Sequence, residues 1–112
     1  GTHALVERLD TRGLPLFAIT NFAAAFWAGF RPRHAIFDRF KDIVVSGVER
    51  IAKPDPAIFA LSADRFGHPP EAMLFIDDNA DNTASAEKCG WQVHHFTDAE
   101  TLEADLAERG LI

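Results

Sequence analysis

The order of elements in this 112-residue chain predicts an α/β fold built on a parallel sheet. Three observations carry the prediction. The apolar runs Leu16–Ile19, Ile43–Val45 and Met73–Ile76 lack the alternation of a half-solvated strand, so each reads as a strand covered on both faces. A helical stretch lies between each strand and the next, giving helix-strand-helix-strand-helix-strand-helix-strand-helix, with right-handed crossovers. Each run also stops abruptly at a polar or glycine-bearing turn: Thr20-Asn21, Ser46-Gly47 and Asp77-Asp78.

Composition narrows the function classes. The length allows one domain at most, and a hydrophobic fraction of 47% is enough to build a core. The formal net charge is −6 and no basic cluster occurs, which argues against nucleic acid and an anionic membrane surface as partners. The single cysteine, Cys89, rules out an internal disulfide and suits a reducing compartment, the cytoplasm. It precedes Gly90 at a helix end with no basic neighbour, so it reads as a small buried apolar residue. No long apolar run and no basic-apolar leader is present, so neither a membrane span nor a signal peptide is expected.

Taken in order, Thr2 is expected to cap a first helix with Leu5, Val6 and Leu9 inward and Gly13 as its stop. Pro15 opens the first strand, a position where proline is tolerated. The run from Phe22 to Gly29 predicts a helix whose aromatics either line a pocket mouth or pack together. Arg31-Pro32-Arg33 breaks it, and His34 to Phe40 reads as a short helix with His34 at the surface. After the second strand, Val48 to Lys53 reads as a polar loop. Asp55 then suits an N-cap and Pro56 the first helical position, with Ile58, Phe59, Leu61 and Phe66 inward and Gly67 as the stop. His68-Pro69-Pro70 is a solvated turn before the third strand. Asp81 to Lys88 is helical and ends at Gly90. Trp91 to Phe96 is a mixed-polarity strand near an edge, on which His94 and His95 point to opposite faces and so cannot chelate one metal together. Thr97-x-x-Glu100 is a capping box opening a last helix with Ala99, Leu102 and Leu106 inward.

The stretch Met73 to Asn82 organises the rest: four apolar residues run into two adjacent carboxylates and a polar turn. Adjacent carboxylates repel unless a cation or shared proton relieves them, and a hard dication with oxygen ligands is the simplest relief. Alone, such a pair also reads as helix capping plus solvation. Its company matters, however. In a parallel sheet all strand ends lie on one edge, so Thr20-Asn21, Lys53 and Asp77-Asp78 can converge although tens of residues separate them. A hydroxyl with helix-start N–H groups makes an anion cradle, Lys53 supplies a point charge, and Asp78 with Asp77 holds a dication. That set suits phosphoryl transfer.

Phe17-Ala18-Ile19-Thr20-Asn21, Val44-Val45-Ser46-Gly47, Lys53-Pro54-Asp55-Pro56-Ala57-Ile58-Phe59 and Phe75-Ile76-Asp77-Asp78-Asn79-Ala80-Asp81-Asn82 together resemble motifs II, III and IV of the haloacid dehalogenase (HAD) superfamily, in order and across essentially the whole chain. A receiver domain also uses an acidic pair, a Thr and a Lys, but there the acidic pair comes first and the Lys last, so the order here argues against it. The resemblance implies a three-layer Rossmann-like parallel sheet with flanking helices. It implies that Thr20 binds a transferring phosphoryl group, with the Asn21 N–H beside it, and that Lys53 neutralises its charge. Asp78 would ligate Mg²⁺ directly, Asp77 would assist through Lys53 or a metal-bound water, and Asn82 would support the loop. The acidic pair resembles the phosphatase branch, whereas the dehalogenases usually carry Ser-Ser-Asn there.

The family's motif I strand, which supplies a nucleophilic aspartate, and its cap domain have no counterpart here. Residues 1–112 therefore resemble the C-terminal portion of a HAD-like core, incomplete without its central strand. The expected activity of the intact protein is Mg²⁺-dependent phosphate ester hydrolysis through an aspartyl-phosphate, on a small phosphorylated metabolite, with this chain alone inactive. A dehalogenase acting on a halogenated metabolite and a non-catalytic binding module are the alternatives. Because the missing strand lies between those ending at Thr20 and Asp77, two expectations follow. Either the chain self-associates or otherwise recruits a strand, or those two strands pair directly.

Overall fold

The computed structural model describes residues 2–112. Its elements run α1 (Thr2–Thr11), β1 (Phe17–Thr20), α2 (Ala24–Phe30), two 3-10 turns (Arg31–Arg33 and Ala35–Arg39), β2 (Asp42–Val45) and α3 (Ser46–Glu49). Then come α4 (Pro56–Phe66), a 3-10 turn (Pro70–Ala72), β3 (Leu74–Asp77), α5 (Ala80–Lys88), β4 (Gln92–His95) and α6 (Ala99–Glu108). All strand pairs are parallel, and helices cover both faces, so the three-layer α/β architecture holds.

Two apolar clusters make the layers. On one face, Ile58, Phe59 and Phe66 of α4 and Ala86 of α5 pack with Val44, Phe75, Met73 and Trp91, and with the half-buried Phe17 and Ile19. On the other, Leu5 and Leu9 of α1 meet Leu102 and Leu106 of α6 over Leu16, Leu74 and Phe96. Leu74 and Phe75 thus serve opposite clusters, as the period of two in a strand requires.

The sheet is not continuous. β1 pairs only with β2, and β3 only with β4, with Thr20 opposite Val45 and Asp77 opposite His95. The expected direct pairing of the strands ending at Thr20 and Asp77 does not occur. Their C-terminal ends are joined instead by side chains, as described below. β1 is half-buried along its length rather than fully covered, and Ile76 of β3 is 36% exposed, because each strand keeps an unpaired edge.

Several local expectations shift. Thr2 is helical rather than a cap. The helix after Asn21 starts at Ala24, and none of its residues is buried. A short helix, Ser46–Glu49, takes in Val48 and Glu49 of the expected polar loop and is closed by Arg50 in the left-handed region at φ 60°. The last helix is capped by Asp98, not Thr97: the Asp98 carboxylate accepts from the Thr101 N–H at 2.7 Å. Aspartate accepts more strongly than threonine and sits one residue nearer the helix. His34 is half-buried, stacked on Phe30 with centroids 4.1 Å apart. Cys89 is half-buried, its Sγ 3.9 Å from the Pro56 carbonyl.

Candidate active site

The apolar strand β3 carries Asp77 to the end of the sheet, and the Asn79 side chain caps α5 by accepting from the Asp81 and Asn82 N–H groups. The turn between them fixes Asp77 from several sides. Its Oδ1 accepts from the Asn79 N–H at 2.8 Å, and its Oδ2 accepts from Lys53 Nζ at 2.7 Å and from Asn82 Nδ2 at 3.2 Å. The Lys53 and Asp77 side chains are only 11% and 8% exposed, so this ion pair is largely shielded from water. Burial by itself pushes the Asp77 carboxyl up. The Lys53 hydrogen bond, the Asn79 N–H, the Lys53 charge and the Asn82 amide outweigh it, and the net position is below the usual carboxylate value. Lys53 Nζ also lies 5.5 Å from the centre of the Phe75 ring.

Lys53 itself is held by Asn21. The Asn21 amide donates to the Lys53 carbonyl at 3.0 Å and accepts from the Lys53 N–H at 2.9 Å. This two-bond clamp brings the end of β1 to the loop before α4. Ser85 of α5 adds a third tie, donating to the Pro54 carbonyl at 2.6 Å. Behind Asn21, the Phe22 N–H donates to Ser46 Oγ at 2.9 Å, and the Gly47 N–H donates to the Phe22 carbonyl at 2.9 Å. A Cβ on Gly47 would lie 2.6 Å from that carbonyl oxygen and closer still to Ala24 N, so only glycine fits there.

Asn21, Lys53, Asp77, Asp78, Asn79 and Asn82 line one cavity of about 520 Å³. Of the residues singled out in the sequence, Thr20 alone is not on its wall; it sits half-buried at the last position of β1, next to Asn21. The expected cradle of helix-start N–H groups is reduced, since α2 begins late and the Phe22 N–H is committed to Ser46. Asp78 is exposed in the cavity and its carboxylate makes no hydrogen bond or ion pair among the described residues, while its carbonyl accepts from His95 Nε2 at 2.9 Å if that nitrogen carries the proton. Sequence reasoning missed the clamp made by the Asn21 side chain, the capping by Asn79 and the Ser85 tie. Of these, only Asn79 had a sequence signal, an Asn just ahead of a helix.

The chemistry of the donors can be tested against Mg²⁺. No group of three or more His, Cys, Asp or Glu spaced to hold a metal occurs among the described residues. Mg²⁺ does not need one: it keeps several waters and binds through one or two carboxylates plus substrate oxygens. Asp78 offers an unengaged hard oxygen, and Asp77, its oxygens occupied, is suited to act through a water. The residues present fit the ion in donor type.

A model of the haloacid dehalogenase-like hydrolases matches residues 1–90. The chain belongs to this family. Among its relatives are a sesquiterpene phosphatase from Aspergillus oryzae, 26% identical over 86% of the chain, and an (S)-2-haloacid dehalogenase from Pseudomonas putida, 28% identical over 79%. A phosphoglycolate phosphatase from Escherichia coli is 30% identical over 73% of the chain. The chain spans only 49%, 39% and 32% of these relatives' own lengths. Among solved structures, a Corynebacterium glutamicum protein of unstated function superposes with a TM-score of 0.81 at 19% identity, covering 97% of this chain and 78% of that one. A HAD family enzyme from Bacteroides thetaiotaomicron, in complex with magnesium and inorganic phosphate, gives 0.75 at 23% identity, covering 91% of this chain and 57% of that one. These likenesses confirm the HAD fold with its parallel strands and flanking helices.

Proposed function

We propose that this HAD-like chain is the C-terminal portion of the core of a Mg²⁺-dependent phosphohydrolase acting on a small phosphorylated metabolite. The observation that carries the reading is the shielded Lys53–Asp77 ion pair beside the unengaged Asp78 carboxylate. Phosphatases among the relatives, and the magnesium and phosphate bound by the Bacteroides enzyme, support it. The names of those relatives span phosphoglycolate and a sesquiterpene, so they leave the substrate open. A cytoplasmic setting belongs to the same reading, consistent with one cysteine; no helix among the described residues is long and apolar enough to cross a membrane.

In this reading Lys53, with three N–H donors of which one serves Asp77, offers the others to phosphoryl oxygens. Asn21 fixes the lysine's backbone so that the charge stays where it is needed. Mg²⁺, held by Asp78 directly and by Asp77 through water, would supply further neutralisation of the phosphoryl charge. An aspartate outside residues 1–112 would attack phosphorus, forming an aspartyl-phosphate that water hydrolyses. Catalysis is then mainly positioning and charge neutralisation, and this chain alone is inactive.

The protein in its natural full length provides the test. Phosphate release from simple monoesters should require Mg²⁺, and Asp78→Asn should cut kcat/KM by about 10² or more while weakening Mg²⁺ binding measured by calorimetry. Mg²⁺-independent turnover that survives Asp78→Asn would sink the reading. The dehalogenase relative motivates a second reading, and halide release from a 2-haloacid without metal would establish it.

A further inference from the structure

A second hollow, open to solvent, lies beside the one that holds Lys53 and Asp77. It has a volume of about 720 Å³ and is walled by Phe22, Ala25, Phe26, Gly29, Phe30 and Arg33. Asn21 lines both cavities, so a ligand whose phosphate meets Lys53 can extend past Asn21 into this second space. Its wall is built rather than incidental. Phe22, Trp27, Phe30, His34 and Phe37 pack ring against ring, tilted for Phe22–Phe30 and edge-on for Trp27–Phe37 with centroids 5.0 Å apart, and stacked for Phe30–His34 at 4.1 Å. That mutual packing leaves Phe26 out: its side chain is 73% exposed and faces the cavity, the most exposed large apolar residue among those described. Arg31 is neutralised by Asp38 at 2.9 Å, but Arg33 on the cavity wall has no ion pair among the described residues.

We infer that this aromatic cavity receives the leaving group of the substrate, and that the leaving group is an aryl or arylalkyl alcohol. The inference rests on the phosphatase reading above. A volume of about 720 Å³ is ample for such a group. The Phe26 and Phe30 rings offer edge-to-face and offset stacking. The free Arg33 guanidinium can lie over an aromatic ring, which gives an aromatic group an advantage over an aliphatic one of equal area. Hydrolysis would break the P–O bond and release the alcohol into this space and inorganic phosphate on the Lys53 side.

The test compares 2-phenylethyl phosphate with ethyl phosphate in the full-length protein with Mg²⁺, because both leaving alcohols are primary and alkyl. The wild type should prefer the phenylethyl ester in kcat/KM by about tenfold or more. Gly29→Leu adds apolar bulk to the hollow from a position where a Cβ has open space around it. It and Phe26→Ala should each lower the phenylethyl-to-ethyl ratio by about fivefold to tenfold. Val48→Ser, at an exposed apolar residue outside either cavity, should leave the ratio alone. A ratio near one in the wild type, or one untouched by Gly29→Leu, overturns the proposal while the phosphatase reading stands. A thermal midpoint lowered by Gly29→Leu with no change in ratio also overturns it, by showing that a protein segment covers the cavity. Hydrolysis of neither ester removes the phosphatase reading and this inference with it.

Discussion

At the scale of single residues, Lys53 and Asp77 bind their fates together. Each is shielded enough that losing its partner leaves a poorly solvated charge. Lys53→Met should therefore lower unfolding stability by about 3 kcal/mol, and the Asp77 carboxyl should move up once burial is no longer outweighed by the ammonium. Urea denaturation and carboxyl titration by NMR measure the two effects; a variant as stable as the wild type would show that the pair is dispensable. Asp105 obeys the same logic away from the site. Burial pushes its carboxyl up, but bonds from Arg109 at 3.0 Å and His94 at 2.7 Å hold it below the usual value, and Asp98 is held low by the Thr101 N–H. A carboxylate whose folded pKa is depressed stabilises the fold above its unfolded pKa of about 3.9 and loses that contribution as pH falls through the folded value. Stability should thus fall below about pH 4, and Asp105→Asn should make that acid limb shallower. Identical acid limbs for the two proteins would contradict the argument.

Among elements, the turn from β2 into α3 matters more than its length suggests. Ser46 and Gly47 hold the backbone just behind Asn21, and Asn21 in turn holds Lys53. Gly47→Ala should cost about 2 kcal/mol, because its Cβ meets backbone atoms that cannot swing aside. It should also disturb the site at a distance, seen as a shifted Asn21 side-chain amide resonance. An unchanged unfolding midpoint would refute it. The elements were also where the sequence spoke most clearly and where it fell silent. Apolar strands ending in polar residues predicted that Thr20-Asn21, Lys53 and Asp77-Asp78 converge, because a parallel sheet puts every strand end on one edge; of these, all but Thr20 line one cavity. The Asn21 clamp could not be read, since it joins a side chain to a backbone 32 residues away and depends on the fold being complete. The Asp98 cap was displaced by one residue for a local reason: two adjacent capping residues competed, and the carboxylate won.

Over the whole molecule, the governing fact is a sheet in two pieces. Unpaired edges on β1 and β3 leave N–H and C=O groups without partners from strand pairing, which favours association with another extended chain. We expect residues 1–112 to self-associate, with a mass by light scattering that rises with concentration. A monomer persisting at about 100 µM would argue against it. The gap also explains why Ile76, in the strand that otherwise anchors the site, is left 36% exposed.

The clamp between Asn21 and Lys53 has a further meaning for a sheet so divided. Neither half can drift without the other, for one lysine is gripped by its backbone from β1 and by its ammonium from β3. It behaves as a hinge pin set at the rim of the candidate site, while at their opposite ends Phe17 of β1 and Leu74 of β3 pack into the two apolar clusters. Any widening of the gap would then open like a fan, narrow at the chemistry and broad at the far edge. A third strand entering from the far edge could seat itself without pulling the charged groups out of register.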